Sequence, residues 1–105
     1  MKTSEHLIKA KQLISTHDKW TQGTCARDGQ GNEVVYSSDL ARCFCSYGAL
    51  LAVNSDRFVI EKSARILRCG FDTFGAIGPY NDSHTHAEVM EGFDRAIEIA
   101  KRYND

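Results

Sequence analysis

The run Cys43-Phe44-Cys45-Ser46-Tyr47-Gly48-Ala49-Leu50-Leu51-Ala52-Val53 decides how this chain is read. Only Ser46 in it is conventionally polar, and the apolar side chains point all round a helical wheel, which is the signature of a buried helix. At 1.5 Å per residue the run is about 16 Å long, half the thickness of a bilayer. Ser38-Asp39 offers a capping start, so the central helix is expected over about 39–53. Gly48 inside it costs about 1 kcal/mol relative to alanine. The close approach of another backbone or an aromatic ring is the simplest compensation.

Amphipathic segments flank this helix. Residues 4–17 place Leu7, Ala10 and Ile14, with Ile8 and Leu13, on one face, and Thr3 or Ser4 can cap the start. Residues 56–69 follow Asn54-Ser55-Asp56 and bury Val59, Ile60, Ser63, Ala64, Ile66 and Leu67, with Gly70 as the C-terminal stop. Thr85-His86-Ala87-Glu88 is a capping-box pattern opening a last helix over about 86–103, with Val89, Met90, Phe93, Ala96, Ile97, Ala100 and Tyr103 as its apolar stripe. Between the first two helices, Arg27-Asp28-Gly29-Gln30-Gly31-Asn32 is dense in turn formers, which predicts a short β-hairpin over about 22–36. Residues 71–84 hold the only proline and two of the eight glycines, and read as a loop. Its Phe71, Phe74, Ile77 and Tyr80 either cover an open end of the core or form a lid or partner surface. The expected fold is α+β and mostly helical: four helices, three of them packed around the buried central one (about 39–53), with one hairpin, as a single domain over residues 1–105.

Composition bounds the function. The 105 residues carry 13 Lys+Arg against 14 Asp+Glu, a net charge of −1, which leaves no specific nucleic-acid signal. No run reaches the ~20 apolar residues that span a bilayer, so no membrane partner is expected. The polar start Met1-Lys2-Thr3-Ser4-Glu5-His6 is unlike a signal peptide, and a cytoplasmic location is expected. Cys25, Cys43, Cys45 and Cys69 are then expected as reduced thiols. Two residues apart on a helix, Cys43 and Cys45 project about 200° from each other and share neither metal nor disulfide. Placed two turns into that helix among apolar neighbours, Cys45 has a raised pKa and is a poor nucleophile. Gly29-x-Gly31 lacks the third glycine and the helix of a dinucleotide fingerprint.

Several motifs stand in a fixed order: Trp20-Thr21-Gln22-Gly23, Ala26-Arg27-Asp28-Gly29-Gln30-Gly31, Cys45-Ser46-Tyr47-Gly48-Ala49-Leu50, Asn81-Asp82 and Thr85. This set resembles a family of small bacterial and phage-encoded proteins grouped as a domain of unknown function. Members carry W-x-x-G, A-R-D-x-x-G, C-x-x-G-A-L, N-D and a Thr-capped final helix, often with Trp where this chain has Phe44. The resemblance spans almost the whole chain and implies an architecture and a bacterial or phage origin, without an activity.

Trp20, Arg27, Asp28, Asn81, Asp82 and His84 are the candidate ligand-binding residues, because Arg, Asp and Asn are not what a core asks for. In the competing reading Trp20 fills the core while Arg27, Asp28, Asn81 and Asp82 shape turns. If these residues form a pocket, Arg27, Asp28 and Asn81 converge on one cavity of about 300 Å³ or more. His84 and His86, with Asp82 and Cys69, are weak candidate metal ligands, and no metal or cofactor is expected. Lys62, Arg65 and Arg68 line one flank of their helix. They read either as a phosphate or acidic-partner contact or as a solvated face on which Glu61 neutralises Arg65. The expected function is that of a small, non-catalytic binding or accessory protein using the 71–86 segment and the Trp20/Arg27 region. Its partner would be a protein or a small ligand, and a homodimer is compatible with the sequence. The alternative is a small enzyme or nucleotide-type ligand binder built on the same residues.

Overall fold

A computed structural model describes residues 1–105. It contains α1 (Thr3–Leu13), a 3-10 turn (His17–Lys19), β1 (Ala26–Arg27), β2 (Cys43–Phe44), α2 (Ser46–Val53), α3 (Arg57–Gly70), α4 (Ile77–Ser83) and α5 (His86–Arg102). The fold is α+β and mostly helical, with one short antiparallel ribbon, as the sequence predicts. No helix is long and apolar enough to cross a membrane.

Besides the end of α1, at Leu13 rather than residue 17, four features differ from expectation. The central helix begins at Ser46 rather than near residue 39. Residues 42–45 are drawn instead into pairing with β1: Arg42 N–H donates to Arg27 O at 2.8 Å and Cys45 N–H to Cys25 O at 3.1 Å. Backbone hydrogen bonds available only in the tertiary structure thus override local helix propensity. The expected hairpin turn is present, closed by Asp28 N–H to Asn32 O and Val34 N–H to Ala26 O. Its second arm, however, makes only an isolated bridge between Arg27 and Glu33, and the strand that pairs with β1 is Cys43–Phe44.

The third difference is α4, which occupies the second half of the expected 71–84 loop. Pro79 is its third residue, inside the first turn, where a backbone N–H has no intrahelical partner to lose. The proline therefore marks a helix start. Phe71 and Ile77 are buried and cover the core, whereas Phe74 is fully exposed. Lastly, neither Thr3 nor Ser4 caps α1 through its own side chain. Asp105 does so from the far end of the chain, accepting from Thr3 N–H at 3.3 Å and Thr3 Oγ1–H at 3.0 Å. Lys62 pairs with the same carboxylate and, with those hydrogen bonds, holds it below the usual range.

The core is a cluster of 15 buried apolar residues contributed by every helix and both strands. The helix α2 packs on α1, α3 and α4, with Tyr47 and Ala52 left exposed, so the centre is shared with α1 rather than held by α2 alone. Gly70 is not a left-handed stop: a Cβ there would lie 2.4 Å from Gly92 O, so it serves the close contact of α3 with α5. The left-handed residue is Asp72, with φ 54°. The capping box forms as read, with Glu88 N–H donating to Thr85 Oγ1 at 3.2 Å and Thr85 N–H to Glu88 Oε1 at 2.9 Å.

Nothing in the apolar periodicity pointed to His6, which is fully buried between α2 and α3. Its Nδ1 lies 2.6 Å from Ser63 Oγ and its Nε2 lies 2.8 Å from Leu50 O. A neutral ring satisfies both contacts, Nε2–H donating to the carbonyl and Nδ1 accepting from the hydroxyl. Burial disfavours the imidazolium and lowers the pKa from its ordinary 6.5. Below 6.5 the unfolded chain therefore binds a proton that the folded one refuses. The stability this contributes is complete above 6.5 and is lost as pH falls through the folded value. Urea midpoints measured between about pH 7.5 and about pH 5 should decline, and His6→Asn should flatten the decline. The carboxylates with lowered pKa values titrate below this window.

Candidate functional site

Asn81, on α4, is fully buried at the junction of four segments. Its Oδ1 accepts from Trp20 Nε1–H at 2.8 Å, Ser46 N–H at 3.0 Å and Ser46 Oγ–H at 2.7 Å. Its Nδ2 donates to Thr21 O at 3.0 Å and to Asp82 Oδ1 at 3.1 Å. Asp82 Oδ1 also accepts from Gly23 N–H at 2.9 Å, and Gln22 Nε2 donates to the Asn81 carbonyl at 3.0 Å. Residues 20–23 are thereby tied to α4 and to the first turn of α2.

Of the sequence candidates, Trp20, Asn81 and Asp82 come together, while Arg27 and Asp28 do not join them in one cavity. The Arg27 guanidinium is spent on neighbouring loops, donating to Thr21 Oγ1, Gly31 O and Gln22 O at 3.0–3.1 Å. Asp28 accepts from Asn32 N–H and Gln30 N–H at 2.9 Å, and these bonds hold its carboxyl below the usual range. His84 stacks on Tyr80 with ring centres 3.6 Å apart, and Tyr80 stacks on Phe71. His86 Nε2 lies 2.7 Å from Ile14 O. No three His, Cys, Asp or Glu side chains gather with metal-binding geometry, so His84, His86, Asp82 and Cys69 do not form a set. Trp20 and His84 border a shallow hollow with His17 and His86.

The main cavity is a cleft of about 640 Å³. One wall is the strand entry Gly23–Cys25, with Cys45 and Tyr47 beside it. A second is α4 and its approach, Ala76–Pro79 with Asp82, and the third is the face of α3 carrying Glu61, Ala64, Arg65 and Arg68. Two of these walls fall in segments singled out from sequence. The third carries Arg65 and Arg68 of the basic flank, both exposed as the solvated-face reading expects and both lining the cleft. Glu61, itself on the cleft wall, forms no ion pair with Arg65. It pairs instead with Arg57 at 3.0 Å, one turn earlier. Lys62 is engaged by Asp105, and neither Arg65 nor Arg68 takes part in any ion pair.

Cys45 is the N-cap of α2, not a residue two turns inside a helix, and its Sγ accepts from Gly48 N–H at 3.2 Å. Burial nevertheless outweighs that donor and pushes the thiol up to about 11, so Cys45 stays protonated near neutrality. No imidazole lines the cleft to deprotonate it.

A family model described as a family of unknown function (DUF6197) matches residues 1–99. No curated protein and no solved structure matches the chain.

Proposed function

Since the chain belongs to DUF6197, a family of unknown function, we propose from the site alone that it is a non-catalytic binding protein whose cleft takes a small organic anion with an apolar body. The observation that carries this reading is the pair Arg65 and Arg68, neither in an ion pair, lining the cleft together with Ala64, Ile77 and Pro79. A guanidinium offers a planar fork of donors to carboxylate, sulfonate or phosphate, and the apolar lining rewards a flat ring. Tyr47, exposed at the cleft wall, adds a further aromatic surface. The high pKa of the Cys45 thiol and the lack of a base beside it favour binding over covalent catalysis.

Fluorescence titration with anilinonaphthalene sulfonate tests this. Saturable binding is expected, weakened about tenfold by Arg65→Gln and again by Arg68→Gln, as the loss of one charge-assisted hydrogen bond implies. Lys62→Gln should leave it unchanged. Equal affinity in the double arginine variant, or binding without saturation, overturns the reading. A protein partner on the same face is the second reading, favoured by the fully exposed Phe74. In that case Phe74→Ser leaves probe binding intact and abolishes the partner's.

A further inference from the structure

The ribbon sets Cys25 directly across from Cys45. Ala26 faces Phe44 in antiparallel register, so the adjoining rung pairs residues 25 and 45, and Cys45 N–H donates to Cys25 O at 3.1 Å. Residues opposed in a hydrogen-bonded rung lie about 5.5 Å apart at Cα. That is inside the ~4.4–6.8 Å that a disulfide spans. Opposed side chains of a rung share one face of the ribbon, and both cysteines line the cleft. Cys43 sits on a different rung, across from Arg27, and Cys69 is exposed on α3. All four cysteines are free thiols, and the ribbon brings only Cys25 and Cys45 face to face.

We propose that Cys25 and Cys45 are a redox-active dithiol site, oxidised to an intramolecular disulfide by a small anionic organic disulfide that enters through the cleft. Cys25 is half-buried and Cys45 buried, so Cys25 is reached first. Its thiolate attacks one sulfur of R–S–S–R. The S–S bond breaks, its electron pair leaves on RS⁻, and that thiolate takes up the proton Cys25 has shed. Cys45 then gives up its proton and attacks the Cys25 sulfur of the mixed disulfide. The second RS⁻ departs and collects this proton. Two protein thiols and one R–S–S–R thus become one protein disulfide and two R–SH. Arg65 and Arg68 across the cleft favour an oxidant that carries carboxylates, of the glutathione disulfide class.

The product is easily reversed, for a reason the fold supplies. Cys45 Sγ is the acceptor that caps α2 through Gly48 N–H. Turning that sulfur toward Cys25 removes the cap, so the oxidised form is disfavoured and the bond is readily reduced. The dithiol rests on the register of the ribbon alone, whereas the choice of an anionic oxidant rests on the organic-anion reading of the cleft.

The full chain carrying Cys43→Ser and Cys69→Ser, treated with glutathione disulfide, tests the proposal by intact mass and tryptic mapping. The expected result is loss of both reactive thiols, no retained glutathione, and a link between peptides 20–27 and 43–57 that dithiothreitol reverses. Adding Cys45→Ser, which keeps a hydroxyl cap for Gly48, should stop the reaction at glutathione on Cys25. Gly48 amide exchange should quicken in the oxidised form. A persistent mixed disulfide on Cys25 when Cys45 is present, two unreacted thiols, or unchanged Gly48 protection in an oxidised chain each overturn it. If the double-serine background fails to fold, fragmentation of the linked peptides from the unmodified chain locates the bond, and a link through Cys43 counts against the site.

Discussion

Gly48→Ala is expected to destabilise the fold by about 3 kcal/mol or more, although alanine is the better helix former. A Cβ at this position would lie 2.0 Å from Cys25 O and 2.8 Å from Cys25 C, both backbone atoms. No rotamer change relieves such a clash. Either α2 lifts off the ribbon or the Cys45 N–H to Cys25 O bond breaks. Helix propensity returns about 1 kcal/mol, which is too little to change the sign. Urea unfolding monitored by far-UV circular dichroism should show the midpoint falling sharply, and a midpoint at or above that of the unmodified chain would refute the close contact. Gly48 also bears on the cleft, because Cys25 lies on its wall. Partial folding of the variant should therefore be accompanied by lost probe binding.

The second large effect is expected at Asn81. Asn81→Leu keeps roughly the volume and removes every polar atom. Trp20 Nε1–H, the Ser46 N–H and hydroxyl, and the Thr21 carbonyl then lose their partner inside the protein. Each buried group left unsatisfied costs about 1–3 kcal/mol, so a total of about 3–5 kcal/mol is expected after local relaxation. Asn81→Asp separates hydrogen bonding from volume. It preserves the accepting oxygen but turns the other oxygen toward the Thr21 carbonyl and Asp82. The introduced carboxyl should have its folded pKa raised, which gives stability present at acid pH and lost as pH rises through that value. Relative to the unmodified chain, the deficit of Asn81→Asp should be smaller at about pH 4 than at about pH 8. Equal deficits at the two pH values would contradict the arrangement of donors around Asn81.

The ordered motifs are accounted for largely by these contacts. In Cys45-Ser46-Tyr47-Gly48, the cysteine caps α2, the serine reaches Asn81 and the glycine admits the Cys25 carbonyl. In Ala26-Arg27-Asp28, alanine fills the core while arginine and aspartate bind loop backbone. Their side chains suggested a pocket because polar residues in an ordered pattern look functional, and a sequence does not reveal whether a donor faces a backbone carbonyl or a ligand. The cleft itself was half legible. The 71–86 segment and the Trp20/Arg27 region stand out in the sequence, and each supplies a wall. The two readings of the basic flank on α3 could not be separated in the sequence, because Glu61 has an arginine four residues away on either side, and the folded helix pairs it with Arg57.

By itself the sequence determined what depends on local periodicity and capping. The amphipathic faces of α1, α3 and α5, the Asp56 and Thr85 caps and the Asp28 turn are all statements about residues within about four positions of each other. The tertiary structure alone decided what depends on which distant group comes within reach. Residues 42–45 are diverted from helix to ribbon by the Cys25 and Arg27 carbonyls, α1 is capped by Asp105, and Cys25 meets Cys45. The physical reason is common to all three. A backbone or side-chain donor has several partners of nearly equal strength, and the packing of the remaining chain selects the one it keeps.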